Sequence, residues 1–240
     1  MSHWLKKQSL EDNYSVNIIL VGPPGAGKGT QGEKIVKKFN LYKVSAGDLL
    51  REEIKKNTNL GNKIKSKIDN GLLVSDDIIN DLIIKALSDK KLYDRLIFDG
   101  YPRNLEQARN LDSYLKKYKQ KISCVLCLNV DKETIIKRIF GRQTCSNCGL
   151  IFNEYYYPSL SKNHSCDPKF LNKRTDDNEK TIRNRYETYL HKTLPILDFY
   201  KKQKLLHHIN GMTKIDQIFD EIRGIIASLD AWLYNLYLYK

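Results

Sequence analysis

Short apolar runs alternate with segments of helical periodicity along most of the chain. The clearest runs are residues 16–21 (VNIILV), 95–99 (RLIFD) and 123–130 (SCVLCLNV). Their length and apolar content are typical of strands that are buried on both faces. Strands separated by amphipathic helices predict an α/β fold, in which helices cover both faces of a parallel sheet as a three-layer α/β/α sandwich.

Weaker patterns add further elements to this sheet. Residues 41–45 and 207–209 predict short strands. Ser75 precedes a helical segment and two aspartates, which is typical of an N-cap. The tail from Ile215 to Tyr239 predicts one helix with an aromatic end; we expect it to pack on the sheet, with a subunit or membrane-surface contact as the alternative. Helical patterns also cover residues 31–39, 46–51, 61–70 and 75–87.

The polar residues that end the predicted strands indicate where a ligand binds. In an open parallel sheet, ligands bind outside the carboxyl ends of the strands. Gly22, Asp99 and Asn210 each stand at such an end. We therefore expect the segments around these three residues to line one cleft.

Composition indicates a globular protein. The chain has 240 residues, of which 41% are hydrophobic, enough for a substantial core in one domain with insertions. No apolar run approaches the roughly 18 residues of a membrane span. Residues 1–15 are an extension without the apolar core of a secretory signal. We expect a cytoplasmic protein, with the mitochondrial matrix as the alternative.

The net charge of +13 is compatible with two kinds of partner. One interpretation of this charge is a surface that binds nucleic acid. The other is a cleft that handles phosphates, combined with a lysine-rich surface exposed to solvent. The lysines stand singly and in pairs, without an aromatic–basic repeat. We expect nucleotide partners, no nucleic acid, no stable membrane insertion and a monomer.

Residues 22–30 (GPPGAGKGT) form a glycine-rich turn between the first strand and the first helix. Glycines let backbone N–H groups point inward around an anion, and the start of the helix adds positive potential. Lys28 is placed to reach terminal phosphates. The generic phosphate-binding loop has Ser or Thr directly after the lysine, whereas here Gly29 intervenes before Thr30.

The five cysteines do not indicate a disulfide framework, because their number is odd and no secretory signal is present. Cys124 and Cys127 lie in an apolar strand and are expected in the core. Cys145, Cys148 and Cys166 have a spacing that indicates a metal site. They belong to residues 143–173, a polar segment that interrupts the strand–helix alternation and is expected to form a small inserted lobe.

Several separated motifs closely resemble the adenylate kinase family of nucleoside monophosphate kinases, in its long-lid form. The resemblance extends over residues 17–220, nearly the whole chain. It rests on the loop at 22–30, GDLLR at 47–51, DGYPR at 99–103 with Gln107 at the matching spacing, Arg138 to Arg142 where the lid begins, and Arg174 to Asp177 where it ends.

The resemblance implies two nucleotide sites and a set of cations that neutralise phosphate. The donor side is implied to comprise Gly25, Ala26, Gly27, Lys28, Gly29, Thr30, Arg138, Arg142 and Met212. The side that binds AMP is implied to comprise Ala46, Arg51, Val74, Gly100, Arg103, Gln107, Arg174 and Arg185. The catalytic residues are implied to be Lys28, Asp99, Arg103, Arg138, Arg142, Arg174 and Arg185.

The chain departs from the family pattern on the acceptor side. Ala46 stands where the family usually has Thr or Ser, and Leu72 replaces a common basic residue. The family reads the donor base mostly through backbone, here around residues 210–212. ATP and GTP are therefore not separated by side chains.

The resemblance also implies two metals. Asp99 is implied to hold Mg²⁺, which accompanies the triphosphate. The lid resembles the zinc-bearing lids of the family, with Cys145, Cys148 and Cys166 as ligands. The family has Cys or Asp three residues after the third cysteine, where this chain has Lys169; Asp167 and His164 are the candidates for the fourth ligand.

The expected organisation is a P-loop kinase core at 16–44, 76–140 and 179–240, a helical acceptor-binding lobe at 45–75 and an inserted lid at 141–178. The expected activity is reversible transfer of a phosphoryl group from a nucleoside triphosphate, ATP being favoured, to AMP. A GTP:AMP phosphotransferase is the first alternative. A nucleotide-gated RNA-binding or regulatory P-loop protein is the more remote one.

Overall fold

A computed structural model describes residues 16–88, 95–156, 164–174 and 176–238, with side chains as far as residue 229. The strands are β1 Ile18–Val21, β2 Tyr42–Ser45, β3 Leu96–Asp99, β4 Cys124–Asn129, β5 Arg142–Cys145, β6 Ile151–Asn153, β7 Leu171–Asn172 and β8 Leu206–Asn210. The helices are α1 Lys28–Phe39, α2 Ala46–Lys55, α3 Asn59–Asp69, α4 Asp76–Leu87, α5 Leu105–Lys117, α6 Lys132–Phe140, α7 Glu179–Thr188, α8 Pro195–Lys202 and α9 Ile215–Leu238.

The predicted parallel sheet is confirmed. Five strands lie in the order β2-β3-β1-β4-β8, and every pair between neighbours is parallel. The first strand, β1, is central, so the loop after it opens at the middle of the carboxyl edge. Asp99, Asn129 and Asn210 stand at the last positions of their strands on the same edge.

Alternation along β1 explains why helices cover both faces of the sheet. Ile18 and Leu20 belong to a core cluster with residues of α1 and α9, whereas Ile19 and Val21 belong to a cluster with residues of α2 to α5 and α8. Successive side chains of a strand point to opposite faces. A strand that is apolar at every position must therefore be covered twice, which gives the predicted three layers.

The inserted segment forms a separate antiparallel sheet. Strands β6, β5 and β7 lie in that order, with Arg142 opposite Asn153 and Cys145 opposite Leu171. Its described core is small and includes Phe152 and Cys145, which are both buried. Such a lobe depends on other interactions to hold its strands together.

The predicted helix start at Ser75 is confirmed. Ser75 occupies the N-cap position of α4, but its side chain makes no capping hydrogen bond. Ser45, Thr58, Asn104, Asp131 and Asn178 do cap their helices through side-chain oxygens.

The predicted last helix is confirmed over Ile215–Leu238. Ile218, Ile222 and Ile226 pack it on the sheet. The extension at 1–15, Tyr239 and the aromatic side chains after residue 229 lie outside the described structure. Among the described helices, none combines the length and apolar character that crossing a membrane requires.

Close packing between α2 and α3 predicts a sensitive position. A Cβ at Gly61 would lie 2.7 Å from the carbonyl oxygen of Glu53. We expect Gly61→Ala to lower the free energy of unfolding by about 1–3 kcal/mol, as overpacking does. Urea denaturation measures this change.

Gly224 provides the matched control, because it also lies in a helix but has no atom within 4 Å of an added Cβ. Gly224→Ala is expected to raise the free energy of unfolding by about 0.5–1 kcal/mol through helix propensity. Equal effects of the two substitutions would contradict the close approach of α2 and α3.

Candidate active site

The loop between β1 and α1 has the backbone that its glycines predict. Gly22, Gly25 and Gly27 adopt φ angles of 151°, 81° and 94°. A Cβ at Gly22 would lie 2.9 Å from the carbonyl oxygen of Leu128, and one at Gly25 would lie 2.8 Å from a side-chain carbon of Ile139. Glycine is therefore required both by conformation and by close approach to β4 and α6.

Lys28 begins α1 and turns back toward the loop. Its Nζ donates hydrogen bonds to the carbonyl oxygens of Gly22 and Pro23, at 2.7 and 2.9 Å. Burial lowers the pKa of Lys28 to about 8, with Asp99 opposing the shift and nearby arginines adding to it. An anion at this position would favour the charged amine.

Arg103, Arg142 and Arg185 lie near this lysine, and a fourth arginine, Arg174, lies near Arg142. Burial is the main cause that lowers the pKa of Arg103 and of Arg174, in each case to about 10, and repulsion from neighbouring arginines adds to it. The pKa of Arg185 is lowered for the same reasons. Arg142 contributes to the repulsion at Lys28, Arg174 and Arg185. Cations crowded in this way create a strong site for a multiply charged anion.

Two aspartates at the end of the lid segment pair with this cluster. Arg142 donates two hydrogen bonds to Asp177, one of them from Nε at 2.8 Å. Arg185 Nη1 donates to Asp176 Oδ2 at 2.6 Å. Asp177 has only 3% of its side chain exposed. These carboxylates accept hydrogen bonds from guanidinium N–H groups that suit phosphate oxygens equally well.

Arg138 connects three parts of the donor side. Its Nη2 donates to the carbonyl oxygen of Gly211 at 2.8 Å, and its Nη1 donates to that of Ala26 at 3.4 Å. The guanidinium also lies 5.5 Å from the ring centre of Tyr156 in the lid segment. Met212 is exposed, and its N–H donates to Asn210 Oδ1 at 3.0 Å.

Asp99 ends β3 beside the glycine loop and is partly exposed. Its Oδ2 lies 3.8 Å from where a Cβ of Gly29 would stand. The same Cβ position at Gly29 lies 3.5 Å from a side-chain carbon of Ile151 in β6. The antiparallel sheet of the lid segment therefore lies over the loop, and Asp99 faces the space between them. Thr30 follows in the first turn of α1 and is also partly exposed.

A small cavity opens on the other side of Arg103. It is lined by Ala46, Leu50, Leu73, Val74, Ile79, Gly100, Arg103 and Gln107. The sequence interpretation missed Leu50, Leu73 and Ile79. Leu50 and Ile79 lie on the apolar faces of α2 and α4, and Leu73 lies in the segment between α3 and α4, so nothing in their local sequence distinguished them from other apolar residues. The apolar walls of this cavity and its few polar groups suit a planar base.

Arg51 lies on α2, directly after the lining residue Leu50. Its guanidinium pairs with Asp48, and a Cβ at Gly47 would lie 3.2 Å from its terminal nitrogens. Gln107 is buried, with Nε2 donating to Asp76 Oδ1 at 2.6 Å and Oε1 accepting from the Arg103 N–H at 2.7 Å. Leu72 is 49% exposed and is not among the lining residues.

Four potential metal ligands lie close together in the lid segment. The donor atoms of Cys145, Cys148, His164 and Cys166 all lie within 4.8 Å of one another. Tetrahedral Zn²⁺ with bonds of about 2.3 Å to sulfur needs ligand atoms roughly 3.8 Å apart. Nε2 of His164 is buried without a hydrogen-bond partner, as expected for a ligand atom. The residues present therefore fit a metal ion.

The geometry corrects the choice of Asp167 as the fourth ligand. Its carboxylate accepts from the N–H of Lys169 at 2.9 Å and pairs with the Lys169 amine at 3.2 Å. It lies outside the group of four donors. His164, the second candidate, lies in the group with the three cysteines and could supply the fourth donor atom. Cys124 and Cys127 are buried in β4, as predicted.

The N–H groups around Cys145 favour its ionised form. Burial raises the pKa of Cys145, but hydrogen bonds, first from the Cys148 N–H, outweigh this effect and lower it to about 6. A thiolate is the form that binds a metal.

Comparisons with known proteins identify the family of this chain. The family model described as adenylate kinase matches residues 20–205. An adenylate kinase of Pelagibacter ubique is 47% identical over 211 residues, which cover 88% of this chain and 99% of that protein. Adenylate kinases of Methanothrix thermoacetophila and Archaeoglobus fulgidus are 42% and 38% identical over 216 residues, covering 88% and 89% of this chain and 99% of each relative. A match this long, through the loop and every arginine of the cluster, places the chain in the adenylate kinase family.

Proposed function

We propose that the chain transfers the terminal phosphoryl group of ATP to AMP, reversibly, and so forms two molecules of ADP. The observation that carries this proposal is the position of the cation cluster. Lys28 contacts the glycine loop and Arg103 lines the cavity that contains Gln107, while Arg185 lies near enough to both to lower their pKa values. A cluster between two nucleotide sites serves transfer from one to the other.

The chemistry needs positioning and charge neutralisation more than proton transfer. The acceptor is an ionised phosphate, so no general base has to activate it. The transferred group spreads negative charge over its oxygens, and preorganised cations stabilise that charge. Arg51 and Arg103 are proposed to hold the phosphate of AMP. Lys28, Arg138, Arg142, Arg174 and Arg185 are proposed to contact the donor and the transferred group.

Adenylate kinases use magnesium with the nucleotide, and bound magnesium supplies further neutralisation of phosphate charge. Asp99 is proposed to hold it, because a carboxylate oxygen is a ligand that magnesium prefers. Asp99 is partly exposed beside Lys28, where a hydrated ion would meet the triphosphate.

Closure of the lid segment protects the donor from hydrolysis. Ile151 lies over Gly29, and Arg142 of β5 reaches Asp177 below the sheet. Water excluded in this way cannot compete with AMP for the phosphoryl group. We propose that residues 141–178 move as the lid and residues 45–75 as the acceptor-binding lobe.

ATP is proposed as the donor because the relatives reported above bear the name adenylate kinase. GTP:AMP transfer is the alternative, since the resemblance to the family implies that the donor base is read mostly by backbone around residues 210–212. A nucleotide-gated regulatory protein is disfavoured by the second cavity, because a switch needs no acceptor site. The monomeric state and the cytoplasmic or mitochondrial location stay predictions from the sequence.

We also propose that the lid holds one structural Zn²⁺ through Cys145, Cys148, His164 and Cys166. Three thiolates and one imidazole suit zinc better than magnesium or calcium. The ion would join β5 to the segment before β7, where the small lobe has few buried apolar residues of its own.

The donor is tested by a coupled assay with AMP and equal concentrations of ATP, GTP or ITP. We expect the highest kcat/KM with ATP. A single hydrogen-bond reversal at a purine changes kcat/KM by up to about 10⁴-fold where a site is built around it. A preference for GTP would replace ATP in the proposal, and no transfer from any triphosphate would refute the kinase function.

Lys28→Ala is expected to lower kcat/KM by about 100-fold or more, because one preorganised donor contributes roughly 3–4 kcal/mol of transition-state stabilisation. Lys37→Ala is the control, since Lys37 is exposed in the last turn of the same helix. Thermal melting checks that both variants fold. Near-normal turnover of the folded Lys28 variant would contradict its placement at the phosphates.

Elemental analysis after zinc-supplemented expression tests the lid site. We expect one zinc per chain in the wild type and in Asp167→Ala, and less than half of this content in His164→Ala. A chelator should lower the melting temperature of the wild type but not of the His164 variant. Zinc lost from the Asp167 variant alone would reverse the ligand assignment, and zinc absent from the wild type would refute the site.

A further inference from the structure

The side chain of Gln107 is held at both ends of its amide. Nε2 donates to Asp76 Oδ1 at 2.6 Å, and Oε1 accepts from the backbone N–H of Arg103 at 2.7 Å. An ionised carboxylate only accepts hydrogen bonds, and a backbone N–H only donates. Turning the amide over would place oxygen against oxygen and N–H against N–H. The orientation of the Gln107 amide is therefore fixed.

Asp76 organises a second amide in the same way. Nδ2 of Asn104 donates to both carboxylate oxygens of Asp76, at 3.1 and 2.9 Å. Oδ1 of Asn104 accepts from the Gln107 N–H at 2.8 Å and caps α5. The first turns of α4 and α5 thus meet at Asp76, which is only partly exposed. A carboxylate held by three hydrogen bonds is a rigid anchor for Gln107.

The fixed amide presents a defined pattern to the cavity. A glutamine amide offers two N–H groups and two oxygen lone pairs. The contact to Asp76 uses one N–H, and the contact to Arg103 uses one lone pair of the oxygen. Gln107 also lines the cavity. One N–H and one lone pair remain for a ligand, in an order that cannot reverse.

This order suits one class of purine. An amide pairs with adenine because the 6-amino group donates to its oxygen while a neighbouring ring nitrogen accepts from its N–H. A 6-oxopurine has an acceptor where adenine has the amino donor. A glutamine that is free to turn over could serve both classes, whereas a fixed one serves only one of them.

We propose that Asp76 determines acceptor specificity by locking the Gln107 amide, so that the cavity takes 6-aminopurine monophosphates and rejects 6-oxopurine monophosphates. Asp76 is a positioning residue, because it acts on the base through Gln107. The inference rests on the proposed function, in which this cavity binds the base of AMP. It adds a residue that no motif in the sequence had marked for this role.

The test compares kcat/KM for AMP and for IMP, with ATP as donor, in the wild type and in Asp76→Asn. An asparagine at this position can turn either its oxygen or its NH₂ group toward Gln107, which removes one of the two constraints on the amide and leaves only the N–H of Arg103 to orient it. We expect the AMP-to-IMP ratio to fall by about tenfold or more, since reversing a hydrogen bond in a polar site has at least this effect. The change should lie mainly in the KM of the acceptor, with the KM for ATP unchanged.

Asp77→Asn is the matched control. This substitution removes the same charge from the same first turn of α4, but Asp77 is exposed. We expect its AMP-to-IMP ratio to equal that of the wild type. Similar ratios for D76N and D77N, both unchanged, would overturn the proposal. Asp76→Ser, which also offers both a donor and an acceptor, replaces D76N if that variant does not fold.

A double-variant cycle separates positioning from a structural effect. Gln107→Ala should lower the AMP-to-IMP ratio, and adding D76N to Q107A should change it no further. Additive effects of the two substitutions on the ratio would show that Asp76 acts independently of Gln107 and would overturn the proposal. A wild type that phosphorylates no AMP would instead refute the proposed function, so the two failures are distinguishable.

Discussion

Repulsion among buried cations is the constraint on which the rest of the site depends. The pKa values of Lys28, Arg103, Arg174 and Arg185 are all lowered, first by burial and then by neighbouring arginines. Asp99, Asp176 and Asp177 offset part of this repulsion without removing it. Favourable packing elsewhere in the fold must therefore offset the repulsion among these cations. The incoming phosphates supply the missing negative charge, which links substrate binding to the stability of the closed arrangement.

The scaffold that holds this cluster is the carboxyl edge of the parallel sheet. The glycine loop follows the central strand β1 and packs so closely on Leu128 and Ile139 that side chains are excluded from two of its positions. The Arg138 guanidinium joins this loop to the turn after β8. The aspartates that pair with Arg142 and Arg185 come from the end of the lid segment. The lid thus contributes to the electrostatics of the centre as well as covering it.

Two smaller arrangements adapt this common scaffold. On the acceptor side, Asp76 and the N–H of Arg103 fix the Gln107 amide by hydrogen bonds that permit only one orientation. In the lid, three thiols and one imidazole converge where apolar burial is scarce. Both arrangements use directional bonds at places where hydrophobic packing, which has no direction, would leave the geometry undefined.

Local sequence determined the elements and the chemistry of this protein. Apolar runs of strand length, helical periodicity and the glycine motif at 22–30 depend on neighbouring residues, so they predicted the layered sheet and the phosphate site. The tertiary structure decided which long-range partners meet. It placed His164 among the cysteines instead of Asp167, left Ser75 without a capping bond and joined Asp76 to Gln107 across 31 positions. Such pairings depend on how separate elements pack, which no local pattern of residues encodes.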